Sequence, residues 1–121
     1  MWCNFVPDTW ASQFYSKGIM PIDCIDNYIN IIHETFTKYE PLYIISGDTD
    51  FNTEQCIEYY VKCAKQIKEL APNCLYTTHI KGRYTYIPDN LYSYLDLCFY
   101  QSGHNAQNLG MALLTCRRNG R

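Results

Sequence analysis

Three short runs hold most of the residues in this sequence that could do chemistry. They are Asp48 and Asp50 after Ser46-Gly47, His79 and Arg83 in His79-Ile80-Lys81-Gly82-Arg83, and Gln101, Ser102 and His104 in Gln101-Ser102-Gly103-His104. Carboxylates and imidazoles exchange protons, and amides, hydroxyls and guanidinium groups hydrogen-bond a polar substrate. Each residue alone has a duller account. Asp48 after a glycine could satisfy turn amides, and Asp50 could serve the start of a following helix. His79 and His104 could be hydrogen-bonded rim histidines, Arg83 could pair with a surface acid, and Trp2, Trp10, Tyr84 and Tyr86 could simply cover apolar surface. What favours a site is that all three runs sit at the same kind of place in the chain.

That place follows from the order of elements. Residues 1–6 are apolar and end at Pro7-Asp8, as a strand running into a loop does, with Asn4 and Asp8 at its end. Pro21 suits the first turn of a helix, and Ile22, Ile25, Ile29, Ile32 and Phe36 recur at steps of three and four, which predicts an amphipathic helix ending near Tyr39. Beyond Pro41 the run Leu42-Tyr43-Ile44-Ile45 predicts a short buried strand. Asn52 with Gln55 resembles a capping arrangement, and Ile57, Tyr60, Val61, Ala64, Ile67 and Leu70 predict a second helix stopped by Pro72. A second strand is expected over 74–78, a loop through Gly82, a short element around 91–95, a third strand over 97–100, and a last helix over 105–118. Strands alternate with helices through connections too long for hairpins, so the fold class is α/β with parallel strands. The three polar runs then all lie at the carboxyl ends of strands, on the face where such sheets and barrels bind ligands.

Composition narrows the function classes. The chain has 121 residues, 47% apolar and 18% charged, enough to fill one ordinary core. A net charge of −2 with scattered Lys and Arg gives no basic stripe, so nucleic acid is not an expected partner. No apolar run approaches the roughly 20 residues of a membrane span, and no targeting segment opens the chain, so a cytoplasmic protein with no membrane partner is expected. The seven cysteines, Cys3, Cys24, Cys56, Cys63, Cys74, Cys98 and Cys116, form no CxxC pair and read as reduced, mostly structural residues. Twelve tyrosines and two tryptophans suit a packed core or a surface that stacks on the flat apolar faces of sugars.

The runs Ile44-Ile45-Ser46-Gly47-Asp48, His79-Ile80-Lys81-Gly82-Arg83 and Tyr100-Gln101-Ser102-Gly103-His104 resemble, in order and spacing, three motifs of the apiosidase-like glycoside hydrolases. Ser46 stands where that family's pattern has a glycine, and Ile80 where it has a proline. The resemblance implies a (β/α)8 barrel, of which these strands would be the third to the sixth. It makes Asp48, at the end of strand four, the general acid/base. The nucleophilic Glu expected after strand seven has no counterpart in residues 1–121, and a full barrel takes about 250 residues. The expectation is therefore a single partial glycosidase domain over 1–121, truncated at both ends and inactive alone, with exposed barrel edges open to self-association.

In a retaining glycosidase one carboxylic acid protonates the leaving oxygen while a second carboxylate attacks the anomeric carbon. Asp48 would be the donor. By the same resemblance His79, Arg83, Gln101 and His104 would bind sugar hydroxyls, and Trp2, Trp10 or Tyr84 would stack on a ring face. No cofactor or metal is expected. Three alternatives stay open: a carbohydrate-binding remnant without turnover, a metal-dependent hydrolase using Asp48, Asp50, His79 and His104, and a phosphate or magnesium loop at Asp48-Thr49-Asp50. The last two lack the spacing motifs that would support them.

Overall fold

The computed structural model of the chain describes residues 22–100. A 3-10 turn, Ile22–Cys24, leads into helix α1, Ile25–Phe36, and a second 3-10 turn, Thr37–Tyr39, carries it to the expected end. Strand β1 is Leu42–Ile44, helix α2 is Glu54–Leu70, strand β2 is Leu75–Thr77, and the one-turn helix α3 is Asp89–Tyr92. β1 and β2 pair in parallel, Leu42 with Leu75, Tyr43 with Tyr76 and Ile44 with Thr77. The described part is therefore an α/β unit in which α2 is the crossover that a parallel pair requires. The strand expected over 1–6 and the helix expected over 105–118 lie outside the described residues, as does Pro21.

Each helix is set by its apolar stripe. From α1, Ile25 and Ile29 are fully buried, while Ile22 and Phe36, at the two ends of the predicted stripe, are exposed. α1 rests on α2. From α2, Cys56, Tyr60, Cys63, Ala64 and Ile67 are buried, so the two cysteines seven residues apart do share the inward face. Leu70, at the last turn of that stripe, is exposed. Lys62 of α2 pairs with Asp26 of α1 at 2.9 Å, and Gln66 Nε2 donates to the Asp26 carbonyl at 3.1 Å. Both groups of the ion pair are well exposed, so apolar contact rather than charge holds the helices together. The five cysteines among the described residues form no disulfide, and of them Cys24 is exposed.

The helix ends differ from expectation by small, explicable amounts. Thr53, not Asn52, caps α2: its backbone is extended (φ −129°, ψ 151°) and its Oγ1 accepts from the Cys56 N–H at 3.2 Å. Thr53→Ala is expected to lower stability by about 1 kcal/mol, read as a shift in the urea midpoint with an unchanged slope. The 3-10 turn that extends α1 ends where Glu40 turns left-handed (φ 49°), and Pro41 follows. Thr37 Oγ1 bonds both His33 Nδ1 and the Tyr43 hydroxyl at 2.9 Å, which ties the end of α1 to the middle of β1.

The outer edge of β2 is occupied by the segment expected to be a third strand. Tyr76 donates its N–H to Asp96 Oδ2 at 3.0 Å, and its carbonyl accepts from the N–H groups of Asp96 at 2.9 Å and Leu97 at 3.2 Å. A single parallel bridge joins His79 to Phe99. Residues 97–100 thus lie beside β2 in the expected order and direction without forming a regular ladder. The physical reason is the Asp96 carboxylate, which takes the Tyr76 N–H that a strand backbone would need.

Tyr76 is the centre of the unit. It is fully buried, stacks on Tyr43 at 5.6 Å, and donates its hydroxyl to the Ala71 carbonyl at 2.5 Å, with the Ile67 carbonyl 3.1 Å away. The Ala71 and Ile67 carbonyls already accept from the N–H groups of Cys74 and Ala71, so what the contact satisfies is the buried phenol itself, tied to the end of α2.

Candidate functional site

The segments that follow β1 and β2 are laced together side by side. Beyond β1, the Ile45 N–H donates to the Thr77 carbonyl at 2.8 Å, and Ser46 Oγ bonds Thr78 Oγ1 and donates to the His79 carbonyl at 2.9 Å. Thr49 bridges Ile80 in parallel, and the Lys81 N–H donates to the Thr49 carbonyl at 2.8 Å. Ser46, Thr49, Thr77 and Thr78 are all buried. Their hydroxyls matter because backbone polar groups in a dry seam need partners. Ser46 fills that seam with a hydroxyl.

Asp48 and His79 meet at the mouth of this seam. The Asp48 backbone N–H donates to His79 Nδ1 at 3.1 Å. Nδ1 is therefore the unprotonated nitrogen, and Nε2 carries the ring proton in the neutral side chain. His79 is 9% exposed, and its ring lies 5.8 Å from that of Phe99. Asp48 has φ 52°, a left-handed conformation that Asp tolerates better than most residues. Phe51 also has a positive φ, 53°, which is costly for a bulky residue. It is held there by burial of its ring, edge-on to Tyr60 at 5.7 Å, and by its N–H bond to Thr49 Oγ1 at 3.2 Å. The Asp48 loop is thus pinned on both sides of Asp48 itself.

Asp50 and Lys81 form a second link across the same two segments. Lys81 Nζ donates to Asp50 Oδ2 at 3.1 Å, while Asp50 Oδ1 is buried without a hydrogen-bond partner. The same ammonium lies 5.1 Å from the centre of the Tyr84 ring. Its hydrogen bond to Asp50 holds Lys81 above the usual lysine pKa; burial opposes this, and the charges of Asp50, Tyr84 and Asp48 add to it. Tyr84 is 42% exposed, at the end of a turn closed by its N–H to the Lys81 carbonyl at 3.0 Å. Arg83, inside that turn, has φ 71° and is exposed.

The structure brings Asp48 and His79 into direct contact, places Tyr84 on the neighbouring loop, and leaves Arg83 on the outside of its turn. Trp2, Trp10, Gln101 and His104 lie outside the described residues. Sequence reasoning passes over Lys81, because a single lysine in a Gly-containing loop reads as a solvated charge. Its place inside the His79-Ile80-Lys81-Gly82-Arg83 run is the signal that points to it. Among the described residues no group of three or more His, Cys, Asp or Glu could hold a metal ion.

The Asp48 backbone and the His79 ring are thus joined beyond the carboxyl ends of two adjacent parallel strands, the place where α/β proteins bind ligands. A family model for the apiosidase-like catalytic domain matches residues 1–119, so the chain belongs to that family of glycoside hydrolase-like proteins. No curated protein and no solved structure matches the chain.

Proposed function

We propose that Asp48 is the proton donor of a glycosidase site and that its neighbours bind the sugar. The observation that carries this is the Asp48 N–H bond to His79 Nδ1. It fixes the backbone that bears the carboxyl group and holds the His79 ring beside it, with the ring proton on Nε2. In the two-carboxylate mechanism Asp48 protonates the departing glycosidic oxygen and later takes a proton from water, while a second carboxylate about 5–5.5 Å away attacks the anomeric carbon. Asp50 is a poor candidate for that partner, since Lys81 holds one of its oxygens and the other is buried. The partner is therefore expected from outside the described residues, as are the sugar contacts assigned to Gln101, His104, Trp2 and Trp10. Tyr84 offers a ring face, and Arg83 a guanidinium on the same loop. The match to an apiosidase-like catalytic domain supports hydrolysis of a glycosidic bond in a complex, plant-type carbohydrate, on a (β/α)8 barrel.

The test is hydrolysis of an aryl glycoside panel by the natural gene product that carries residues 1–121. Release of sugar with retained anomeric configuration, seen by NMR, supports the proposal, and turnover undiminished in His79→Leu counts against the sugar-binding role of His79. A second reading is a carbohydrate-binding module without turnover. It is favoured by Asp50 being occupied, and it predicts retention on polysaccharide with no product.

A further inference from the structure

We propose that Lys81 is a positioning residue that joins the Asp48 loop and the Tyr84 ring into one ligand-binding surface. The proposal deepens the carbohydrate reading of the site and rests on it. Three contacts converge on this residue from different parts of the chain. Its N–H anchors on the Thr49 carbonyl, its ammonium holds Asp50 Oδ2, and the same ammonium faces the Tyr84 ring. The first two fix Lys81 to the segment that carries Asp48, and the third fixes Tyr84 to Lys81.

The geometry explains why a lysine stands here. Asp50 is a largely buried carboxylate, with 11% side-chain exposure and one oxygen unpartnered, so a cation beside it is needed to keep its charge tolerable. An ammonium on a flexible stem can satisfy that carboxylate and still present its outer face to an aromatic ring. Tyr84, which follows an exposed turn and is itself 42% exposed, makes no other ring contact of this kind among the described residues. A ring held at one height and tilt can stack on a pyranose or furanose face, whereas a freely rotating one must first be ordered at an entropic cost. Lys81 would therefore act on affinity through Tyr84, without touching the reacting atoms.

The test uses the natural gene product that carries residues 1–121, with 3-fluorotyrosine placed at position 84, in wild type, Lys81→Met, Lys81→Arg, and the double variant Asp50→Asn with Lys81→Met. The double variant removes the carboxylate charge that Lys81→Met alone would leave unpaired, so it separates positioning from a failure to fold. Fluorine NMR reads the environment of the ring directly, and affinity electrophoresis through gels containing arabinoxylan, xyloglucan or pectin reads binding. The ring signal is expected to move in Lys81→Met and in the double variant and to return towards the wild-type position in Lys81→Arg. Retardation should weaken about fivefold in the first two and recover in the third. A ring signal and retardation in the double variant equal to those of wild type would overturn the proposal. Wild-type chain that is not retarded by any of the polysaccharides would sink the carbohydrate reading instead. The fluorine signal then decides the positioning role by itself, and an unmoved signal in the double variant rejects it.

Discussion

Asp48→Asn is expected to lower kcat of the natural gene product on glycosides with poor leaving groups by about a hundred- to ten-thousandfold, the usual loss on removing a general acid. Asn is the informative replacement for a structural reason. Position 48 has φ 52°, and Asn enters that region nearly as readily as Asp, whereas Ala would add a backbone penalty of roughly 1–2 kcal/mol. The backbone N–H that bonds His79 Nδ1 is also untouched. Loss of activity in Asp48→Asn with an unchanged thermal midpoint therefore reports on the proton and not on the loop. An activated aryl glycoside, whose leaving group needs little protonation, should recover most of the first-step rate. Equal loss on both substrate types would remove Asp48 from the acid role.

Tyr76→Ala should be the most destabilising single change among the described residues, at about 3–5 kcal/mol. It deletes a fully buried ring stacked on Tyr43 and removes the hydroxyl bond that ties β2 to the end of α2. In a domain whose whole stability is typically about 5–15 kcal/mol, that is enough to unfold much of the population. Denaturant titration followed by circular dichroism measures it, and a loss below about 1 kcal/mol would show that Tyr76 is not the centre of the packing.

The same residue sets an alkaline limit. Burial, and then the neighbouring charges of Cys74, Tyr43 and Asp96, push the Tyr76 hydroxyl well above the ordinary tyrosine value near 10. The unfolded chain ionises at the ordinary value while the folded one keeps its proton, so the folded state binds more protons above pH 10 and stability falls as pH rises. Lys81, also raised, has the same sign: its contribution is complete below the ordinary lysine pKa and is lost above it. Stability is expected to hold to about pH 10 and then decline. Tyr76→Phe should be less stable near neutrality yet flatter above pH 10, and an equal alkaline slope in both proteins would assign the decline to other groups.

The order β1, α2, β2 was legible because each element carries its own period. The apolar run at Leu42-Tyr43-Ile44-Ile45 and the stripe from Ile57 to Ile67 leave little choice between strand and helix. The cap was misplaced by one residue because Asn52 and Thr53 are both good capping types, and only the extended backbone of Thr53 decides between them. The expected ladder at 97–100 is reduced to one bridge by a side chain, Asp96, that no periodicity singles out. Of the site, Asp48 and His79 were visible as chemical types at strand ends. Their bond to one another, and the use of Lys81 as a link, depend on two segments about thirty residues apart lying in register, which only the parallel pairing of Ile44 with Thr77 creates.

That pairing also imposes a timetable on synthesis. β1 can find its partner only after the chain has been extended through α2 as far as Thr77. At about 5–20 residues per second the interval is roughly two to seven seconds. Throughout it Tyr43 and Ile45, buried in the finished protein, lack β2 beside them, and the backbone N–H of Asp48 has no His79 to meet. A newborn chain thus carries Asp48 well before the strand and histidine that hold it in place, and a ribosome pause just short of residue 77 would prolong the most aggregation-prone moment of its life.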